Sequence, residues 1–167
     1  MRIVMQILVS ACLVGRKVRY NGLSIVLQSV WLDELRQAKK VYAFCPEIAG
    51  GLSVPRPCAE ITGGNGRDVL DGRATVVDTE GRYLTDIFLL GARKTLEICR
   101  EKSIFVAILT EGSPSCGSNL QYDGTFSGKK IRGCGVTAAL LAENGIRVFS
   151  QHQLAEAADF LGGLQVV

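Results

Sequence analysis

The sequence predicts a three-layer α/β sandwich with a mainly parallel central sheet. Short runs rich in Ile, Val and Leu alternate along the chain with longer segments that carry apolar residues at helical spacing. Strands that are apolar on both faces are typical of a parallel sheet covered by helices on both sides. The chain has 167 residues, 47% of them apolar, and we detect no repeat. We therefore expect a single domain over residues 1–167 with a Rossmann-like sheet.

Five segments have the composition of buried strands. Each is short and rich in β-branched residues. The strand candidates are RIVMQILVS (2–10), KVYAFC (40–45), ATVVD (74–78), IFVAILT (104–110) and IRVFS (146–150).

Four segments are predicted to be helices. They cover residues 26–40, 85–102, 135–145 and 154–163. In the first, Val26, Val30 and Leu35 fall on or near one face. Thr85 is a suitable N-cap for the second, and Gly145 ends the third.

The segment 46–73 does not fit this alternation. It holds three of the chain's four prolines and several glycines, which predicts a long ordered loop. Long loops within compact domains are usually functional. Its glycines in TGGNGRD are not framed by a strand and a helix as a phosphate-binding loop requires, so we expect no nucleotide cofactor.

The charge and the N-terminal residues argue against several classes of protein. A net charge of +3, from 19 basic and 16 acidic residues, is too small to indicate binding to nucleic acid or membranes. The opening MRIVMQILVSAC resembles a lipoprotein signal, but it is shorter than the usual roughly 15 to 30 residues and Gln6 interrupts it. No apolar run approaches the roughly 20 residues of a membrane span. We expect a cytoplasmic protein.

The chain is rich in cysteine and poor in histidine. In a cytoplasmic setting, six cysteines indicate reduced thiols, metal binding or catalysis rather than disulfides. His152 is the only histidine, and we expect it in the first turn of the last helix. A single histidine therefore disfavours a histidine-based metal site or a Cys/His dyad.

Three cysteines follow the carboxyl ends of predicted strands. Cys12 comes two residues after the first strand, Cys45 ends the second, and Cys116 follows the fourth in SPSCG. The loops beyond the carboxyl ends of parallel strands form the ligand crevice of such folds, so these thiols can converge. Cys99 lies within a helix, where we expect a buried thiol, and Cys58 and Cys134 are candidates for the surroundings of the site.

Two interpretations of the three strand-end thiols stay open on spacing alone. Structural zinc usually takes four ligands, often in C-x-x-C pairs, and the chain has no such pair. A 4Fe-4S cluster held by three thiolates leaves one iron free to bind a substrate. The alternative is a combination of core thiols and a redox pair.

Several motifs together resemble one bacterial family. They are VSACLVG followed by RYNG, FCPEIAGGLSVPRP with AEI, SPSCG with YDGTFSG, and GCGVTAALL with GIRVFS. In order and spacing they are similar to the thiouracil desulfidases, a family long catalogued as a domain of unknown function. The similarity extends over about residues 3 to 150. Asn21, where Asp is frequent, and Cys134 depart from the family's pattern.

The resemblance implies a cofactor and its ligands. Cys12, Cys45 and Cys116 would bind an oxygen-sensitive 4Fe-4S cluster with one open iron. That iron would take sulfur from a thiolated nucleobase without net redox change. The resemblance also implies that Glu47 and Ser113 are catalytic.

The residue types suit that chemistry. Iron in a sulfur-rich cluster is a soft Lewis acid that suits a leaving sulfide. With almost no histidine, a carboxylate is the obvious group to move protons, and Pro46 helps to hold Glu47 near Cys45. On spacing alone, a surface or helix-capping carboxylate is the better interpretation of Glu47, and only the resemblance to the family favours a catalytic role.

The remaining candidates line the predicted crevice. Ser115 is the second choice after Ser113, although both serines also suit a turn around Pro114. Substrate-binding candidates are Arg19, Tyr20, Arg56 and Glu60. Arg56 either meets the substrate or forms an ion pair with Glu60 or Asp68. The segment YDGTFSGKK is predicted to cover the site.

Three functions are carried forward. The leading hypothesis is a non-redox desulfidase that releases sulfide from thiouracil or a related small thio-nucleobase. The first alternative is an iron-sulfur or thiol-based redox sensor without turnover. The second is sulfur transfer to or from tRNA, which the low net charge disfavours.

Overall fold

The computed structural model describes residues 5–164. Its elements in chain order are β1 (Ile7–Ser10), a 3-10 turn (Ala11–Leu13), α1 (Val30–Gln37), β2 (Val41–Phe44), α2 (Pro46–Ala49), β3 (Ala59–Thr62), α3 (Gly66–Leu70), β4 (Thr75–Asp78), α4 (Thr85–Glu101), β5 (Val106–Leu109), β6 (Leu120–Tyr122), β7 (Lys130–Arg132), α5 (Val136–Glu143), β8 (Arg147–Ser150) and α6 (Leu154–Leu164). Within the described range, no helix has the length and apolar character needed to cross a membrane.

The central sheet has four strands in the order β2-β1-β5-β8, and every pair is parallel. The predicted α/β class and parallel sheet are therefore confirmed. β2 lies on one side of β1, and β5, the next strand of this sheet along the chain, lies on the other side of β1. The gap between β1 and β5 is the point where the strand order reverses, and ligands of doubly wound folds bind outside such a point.

Helices cover both faces of this sheet, which gives the three predicted layers. Ile7 and Val9 of β1 pack with Leu32 of α1 and Leu161 of α6 on one face. Leu8 points to the other face, into a cluster formed with α4 and α5. This alternation follows from the two-residue period of a strand, and apolar residues at both positions are buried on both sides.

Two small antiparallel sheets stand beside the central one. β3 pairs with β4, and β6 pairs with β7. The predicted strand 74–78 thus forms as β4, but it lies outside the parallel sheet. Val76 of β4 packs with Ile61 of β3 and Phe88 of α4 in a separate apolar cluster.

The prediction of one long loop over residues 46–73 is wrong, because the segment contains α2, β3 and α3. Pro46 occupies the first turn of α2, where its missing N–H costs nothing. Asn65 caps α3, and the Asp68 carboxylate accepts a hydrogen bond from the Asn65 backbone N–H. These elements have four or five residues each, too few to produce a periodic apolar pattern.

The first helix is shorter than predicted, and its apolar face differs. Ser29 caps α1 by accepting a hydrogen bond from the Leu32 N–H, so the helix starts at Val30. Val26 and Val30 are 66% and 77% exposed, and Leu32 is the buried residue. The apolar spacing thus located a helix in this segment, but the Ser29 cap sets where it begins.

Smaller differences concern element ends. Thr85 is the first residue of α4 rather than its N-cap, and its hydroxyl accepts the Val76 N–H. His152 lies in the turn before α6, not in its first turn. Residues 2–4 of the predicted first strand lie outside the described residues.

Close packing of α4 against α2 depends on Gly91. A Cβ at Gly91 would collide with the carbonyl oxygen of Pro46. We expect Gly91→Ala to lower the free energy of unfolding by about 1–3 kcal/mol, because the backbone must shift to admit the methyl group. The shift would move α2, which carries Glu47. Urea denaturation measures this loss.

Gly162 of α6 provides the matched control. A Cβ there would meet no other atom within 4 Å. We expect Gly162→Ala to stabilise the protein by up to about 1 kcal/mol through helix propensity. Equal effects of the two substitutions would contradict the close contact between α4 and α2.

Candidate functional site

A cavity of about 570 Å³ opens at the carboxyl edge of the central sheet. It lies where the strand order reverses, and the residues that follow β1, β2, β5 and β8 all contribute to its wall. Nine of the ten predicted site residues line it: Cys12, Arg19, Tyr20, Cys45, Glu47, Arg56, Glu60, Ser113 and Cys116. The tenth, Ser115, is buried behind the wall.

The three predicted ligand thiols belong to this cavity. Cys12 lies in the 3-10 turn after β1, and its Sγ is 2.9 Å from the Thr110 hydroxyl oxygen. Cys45 directly precedes α2, and Cys116 follows β5. The hydroxyl of Ser10 donates to Cys116 Sγ over 3.5 Å. The topology therefore gathers residues that are far apart in sequence.

Burial is the main influence on these thiols. It raises the pKa of Cys12 and of Cys45 above the ordinary value. It raises the pKa of Cys116 to about 12, although the hydroxyl of Ser10 acts in the opposite direction. All three thiols are free of disulfides, so their sulfurs are available as ligands.

The thiols suit a cluster better than a single ion. Among the described residues, no three His, Cys, Asp or Glu side chains converge closely enough to hold one metal ion. In an iron-sulfur cluster each thiolate binds a different iron, so the sulfurs need not meet at one point. Three thiols spaced around one cavity, two of them buried, meet that requirement.

The other cysteines divide as follows. Cys99 is buried within α4, and burial raises its pKa to about 11, as expected for a core thiol. Cys134 is not part of the cavity wall, and its carbonyl accepts the Gly66 N–H. Cys58 does line the cavity.

Glu47 is held from both sides by hydrogen bonds. Its Oε1 accepts from Nε and Nη2 of Arg56 at 3.3 and 3.2 Å. Its Oε2 accepts from the hydroxyls of Ser115 at 2.9 Å and Ser113 at 3.4 Å. The carboxylate lies in the first turn of α2, two residues after Cys45. One fixed carboxylate thus faces the thiol-lined cavity.

Arg56 pairs with Glu47, so the alternative of an ion pair with Glu60 or Asp68 is wrong. The Arg56 side chain is only 6% exposed, and its remaining donors bind the carbonyls of Val18 and Ser53. An arginine presents its donors in a planar fork, which here joins three segments of chain. Arg56 therefore fixes the orientation of the Glu47 carboxylate.

The turn that carries Ser113 and Cys116 is clamped by α5. The Ser113 hydroxyl accepts the N–H groups of Ser115 and Cys116, so the turn-forming role of this serine is present. The N–H groups of Val136 and Ala138 donate to the carbonyls of Pro114 and Ser115. The free N–H groups at the start of α5 thus bind the cysteine turn.

Glu111 is a structural residue of the site that the sequence analysis missed. Its Oε1 accepts four backbone N–H groups, from Gly112, Ser118, Asn119 and Leu120, at 3.0–3.3 Å. These bonds close the loop around the cysteine turn. Glu111 directly follows the predicted strand 104–110, but no local sequence pattern indicates four contacts of this kind.

We expect Glu111→Ala to lower the free energy of unfolding at pH 7 by about 2–4 kcal/mol. Removing the carboxylate leaves several N–H groups without an acceptor, and hydrogen bonds to charged groups are worth more than neutral ones. Glu97, exposed on α4, is the control, and Glu97→Ala should change stability by less than about 0.5 kcal/mol. Denaturant unfolding measures both. Equal effects would contradict the anchoring role.

The difference between wild type and Glu111→Ala should depend on pH. Burial alone would raise the pKa of Glu111, but hydrogen bonds from Leu120, Asn119 and Gly112 lower it overall. A folded-state pKa below the ordinary 4.5 stabilises the fold above pH 4.5, and this stabilisation is lost as the pH falls through the folded value. The free energies of unfolding of wild type and Glu111→Ala should therefore approach each other as the pH is lowered from 7 to 3. A constant difference would contradict this.

The far wall of the cavity includes the segment predicted to cover it. Tyr122, Phe126, Gly128 and Lys130 all line the cavity. Phe126 has a φ of 58°, a left-handed conformation that is uncommon for a non-glycine residue. The prediction that YDGTFSGKK lies over the site agrees with this position.

Fold and site together define a doubly wound α/β protein with a cysteine-rich ligand cavity at the switch point of its sheet. The chain belongs to the 2-thiouracil desulfurase family, whose model matches residues 7–153. This confirms the family that the motifs predict.

Two relatives support the assignment. The chain is 49% identical over 148 residues to the uncharacterized protein YbbK of Bacillus subtilis (strain 168), an alignment that spans 89% of this chain and 97% of YbbK. The fold is similar to the solved structure of the 4Fe-4S-dependent thiouracil desulfidase TudS (DUF523Vcz), with a TM-score of 0.86 and 46% identity. That match covers 95% of this chain and 98% of the TudS chain.

Proposed function

We propose that this protein is an iron-sulfur-dependent desulfidase that converts thiouracil, or a related thiolated nucleobase, to the oxo compound and sulfide. The observation that carries the proposal is that the Glu47 carboxylate, which accepts hydrogen bonds from two serine hydroxyls, lines the same cavity as three free thiols. Membership of the 2-thiouracil desulfurase family and the likeness to TudS support it.

Cys12, Cys45 and Cys116 are the residues that would hold a 4Fe-4S cluster. The softness of thiolate matches iron, and three ligands leave one iron without a protein ligand. The cluster would supply a soft Lewis acid for the sulfur of the substrate. Deprotonation of the three thiols is part of loading, because the thiolate is the ligand form.

Glu47 handles the protons of the reaction. Replacing C=S by C=O forms a carbon–oxygen bond from water, breaks the carbon–sulfur bond and moves two protons to sulfide, with no net electron transfer. A carboxylate that faces the cavity can accept the proton of the attacking water and return it. Arg56 holds one oxygen of Glu47 and leaves Oε2 toward the serines.

Ser113 and Ser115 have different parts in this proposal. Ser113 lines the cavity, and its hydroxyl would donate to the substrate or position water. Ser115 is 1% exposed and donates to Glu47 over 2.9 Å, so it positions the carboxylate. Arg19 and Tyr20 form part of the substrate-facing wall.

We further infer a reducing compartment such as the cytoplasm, because all six cysteines are free. We infer that residues 1–167 form one domain, because β3, β6, β7 and the carboxyl ends of the central strands contribute residues to the same cavity. A small-molecule substrate matches a cavity of about 570 Å³.

Neither the sensor nor the tRNA alternative receives support from the family or from TudS.

The test is sulfide release by protein loaded with iron and sulfide in the absence of oxygen. The loaded protein should release sulfide and uracil from 2-thiouracil in equal amounts without added reductant. Protein without iron serves as the control and should release none. Loaded protein that binds 2-thiouracil but leaves it unchanged would contradict the proposal.

A further inference from the structure

Glu60 is a buried carboxylate whose two oxygens have different surroundings. It lies in β3 and is 5% exposed, yet it belongs to the cavity wall. Burying a carboxylate is costly unless its oxygens find hydrogen-bond donors. The positions of those donors therefore indicate what the side chain does.

One oxygen fastens the segment that covers the cavity. Glu60 Oε1 accepts the Gly124 N–H at 2.9 Å and the Phe126 N–H at 3.2 Å. These two bonds hold the segment over β3 and place Phe126 at the cavity. The other described residues donate no hydrogen bond to Glu60 Oε2, whereas both carboxylate oxygens of Glu47 accept hydrogen bonds.

The second oxygen reaches the cavity. Within residues 5–164, only Gln121 Oε1 and Thr137 Oγ1 are sealed from solvent without a partner. Glu60 Oε2 is therefore open, and the open space beside Glu60 is the cavity that it lines. An ionised carboxylate oxygen accepts hydrogen bonds and donates none, so its match is an N–H or O–H group.

The neighbouring cations do not fill this position. Arg56 is engaged by Glu47, and the other cavity cations, Arg19 and Lys130, lie against the rings of Tyr20 and Tyr122. No ion pair of the described residues includes Glu60. Because the described residues give Oε2 no donor, a donor group of a molecule in the cavity suits it.

We propose that Glu60 is the specificity residue of the cavity: its Oε2 accepts the hydrogen of a ring N–H next to the carbon that carries the sulfur. This inference rests on the proposed function. Both ring nitrogens that flank this carbon in 2-thiouracil carry a hydrogen, and uracil keeps both. A site with a buried polar group for an N–H discriminates strongly against analogues that lack it. Phe126, held by the same carboxylate, covers the bound ring.

The experiment measures binding of uracil, 1-methyluracil and 3-methyluracil to the loaded protein by calorimetry. These ligands are not turned over, and each methyl group removes one N–H. Wild type should bind one of the two methyl derivatives at least about tenfold more weakly than uracil. This ratio is typical for the loss of a hydrogen bond to a charged group. Sulfide release from 2-thiouracil is measured on the same samples.

The variant Glu60→Gln separates the two oxygens. The amide oxygen can still accept from Gly124 and Phe126, while the amide NH₂ replaces the accepting Oε2 with a donor. Glu60→Gln should bind uracil about 10- to 100-fold more weakly and should lose most of its preference over the methyl derivative. Glu97→Gln, on the exposed surface of α4, should behave as wild type.

The outcomes distinguish this inference from the proposed function. Equal binding of all three ligands by wild type, no binding of uracil, or undiminished discrimination in Glu60→Gln would each overturn the role of Glu60. The wild-type comparison holds even where the variant fails to fold. The expected binding pattern without sulfide release would support Glu60 and overturn the desulfidase function.

Discussion

Glu47→Gln is expected to lower kcat for sulfide release by about 100- to 10,000-fold, the usual contribution of a positioned proton-transfer group. The amide retains an acceptor for Arg56 and the size of the side chain, so the geometry around it is preserved. It cannot take a proton from water at neutral pH. Iron content and the affinity for uracil should stay close to those of wild type.

Glu97→Gln is the matched control for this substitution, because it makes the same chemical change on the exposed face of α4. It should keep full activity. Glu47→Gln with wild-type kcat and normal iron content would remove Glu47 from the proton path. The hydroxyls of Ser113 and Ser115 would then be the remaining groups of this network that can move the proton.

Cys116→Ala is expected to abolish cluster binding and sulfide release together. Cys116 is the most deeply placed of the three proposed ligands, and alanine fills most of its space without supplying sulfur. With two thiolates left, the cluster lacks the ligand set that holds it. Iron and acid-labile sulfide per chain, with the visible spectrum, measure this loss.

Cys99 and Cys134 provide the controls for the cysteine variant. Cys99 is a core thiol of α4, and Cys134 does not line the cavity. Cys134→Ala should keep full iron content, and Cys99→Ala should keep it while lowering stability. A Cys116→Ala protein that retains one cluster per chain, or a Cys134→Ala protein that loses it, would contradict the ligand assignment.

The sequence was sufficient for the fold class and for the location of the thiols. Cys12, Cys45 and Cys116 each follow an apolar strand, and parallel strands bring their carboxyl ends to one edge of a sheet. That rule needs no knowledge of strand order. The motifs around these cysteines also predicted the family, which its model confirms. The roles of the individual residues stay predictions.

The network around Glu47 could not be predicted in the same way. The pairing of Arg56 with Glu47, rather than with Glu60 or Asp68, depends on how the chain between α2 and β3 returns toward the sheet. The same holds for β3, whose partner β4 lies outside the parallel sheet. Such contacts are decided by tertiary packing, which short segments with mixed patterns do not encode locally.

Glu60 shows how contacts refine an assignment made from sequence. The sequence analysis named it only as a candidate for the crevice wall. The two hydrogen bonds from Gly124 and Phe126 use one oxygen, and the other accepts none from the described residues. The different surroundings of the two carboxylate oxygens are the basis for proposing Glu60 as a specificity residue.

The central claim is that water replaces sulfur on the ring carbon without net redox change. It is tested most directly by turnover of 2-thiouracil in ¹⁸O-labelled water, without oxygen or added reductant. Uracil should carry one ¹⁸O on the carbon that held sulfur, with one sulfide released for each uracil. Unlabelled uracil, or sulfur recovered as elemental sulfur or persulfide instead of sulfide, would contradict the account.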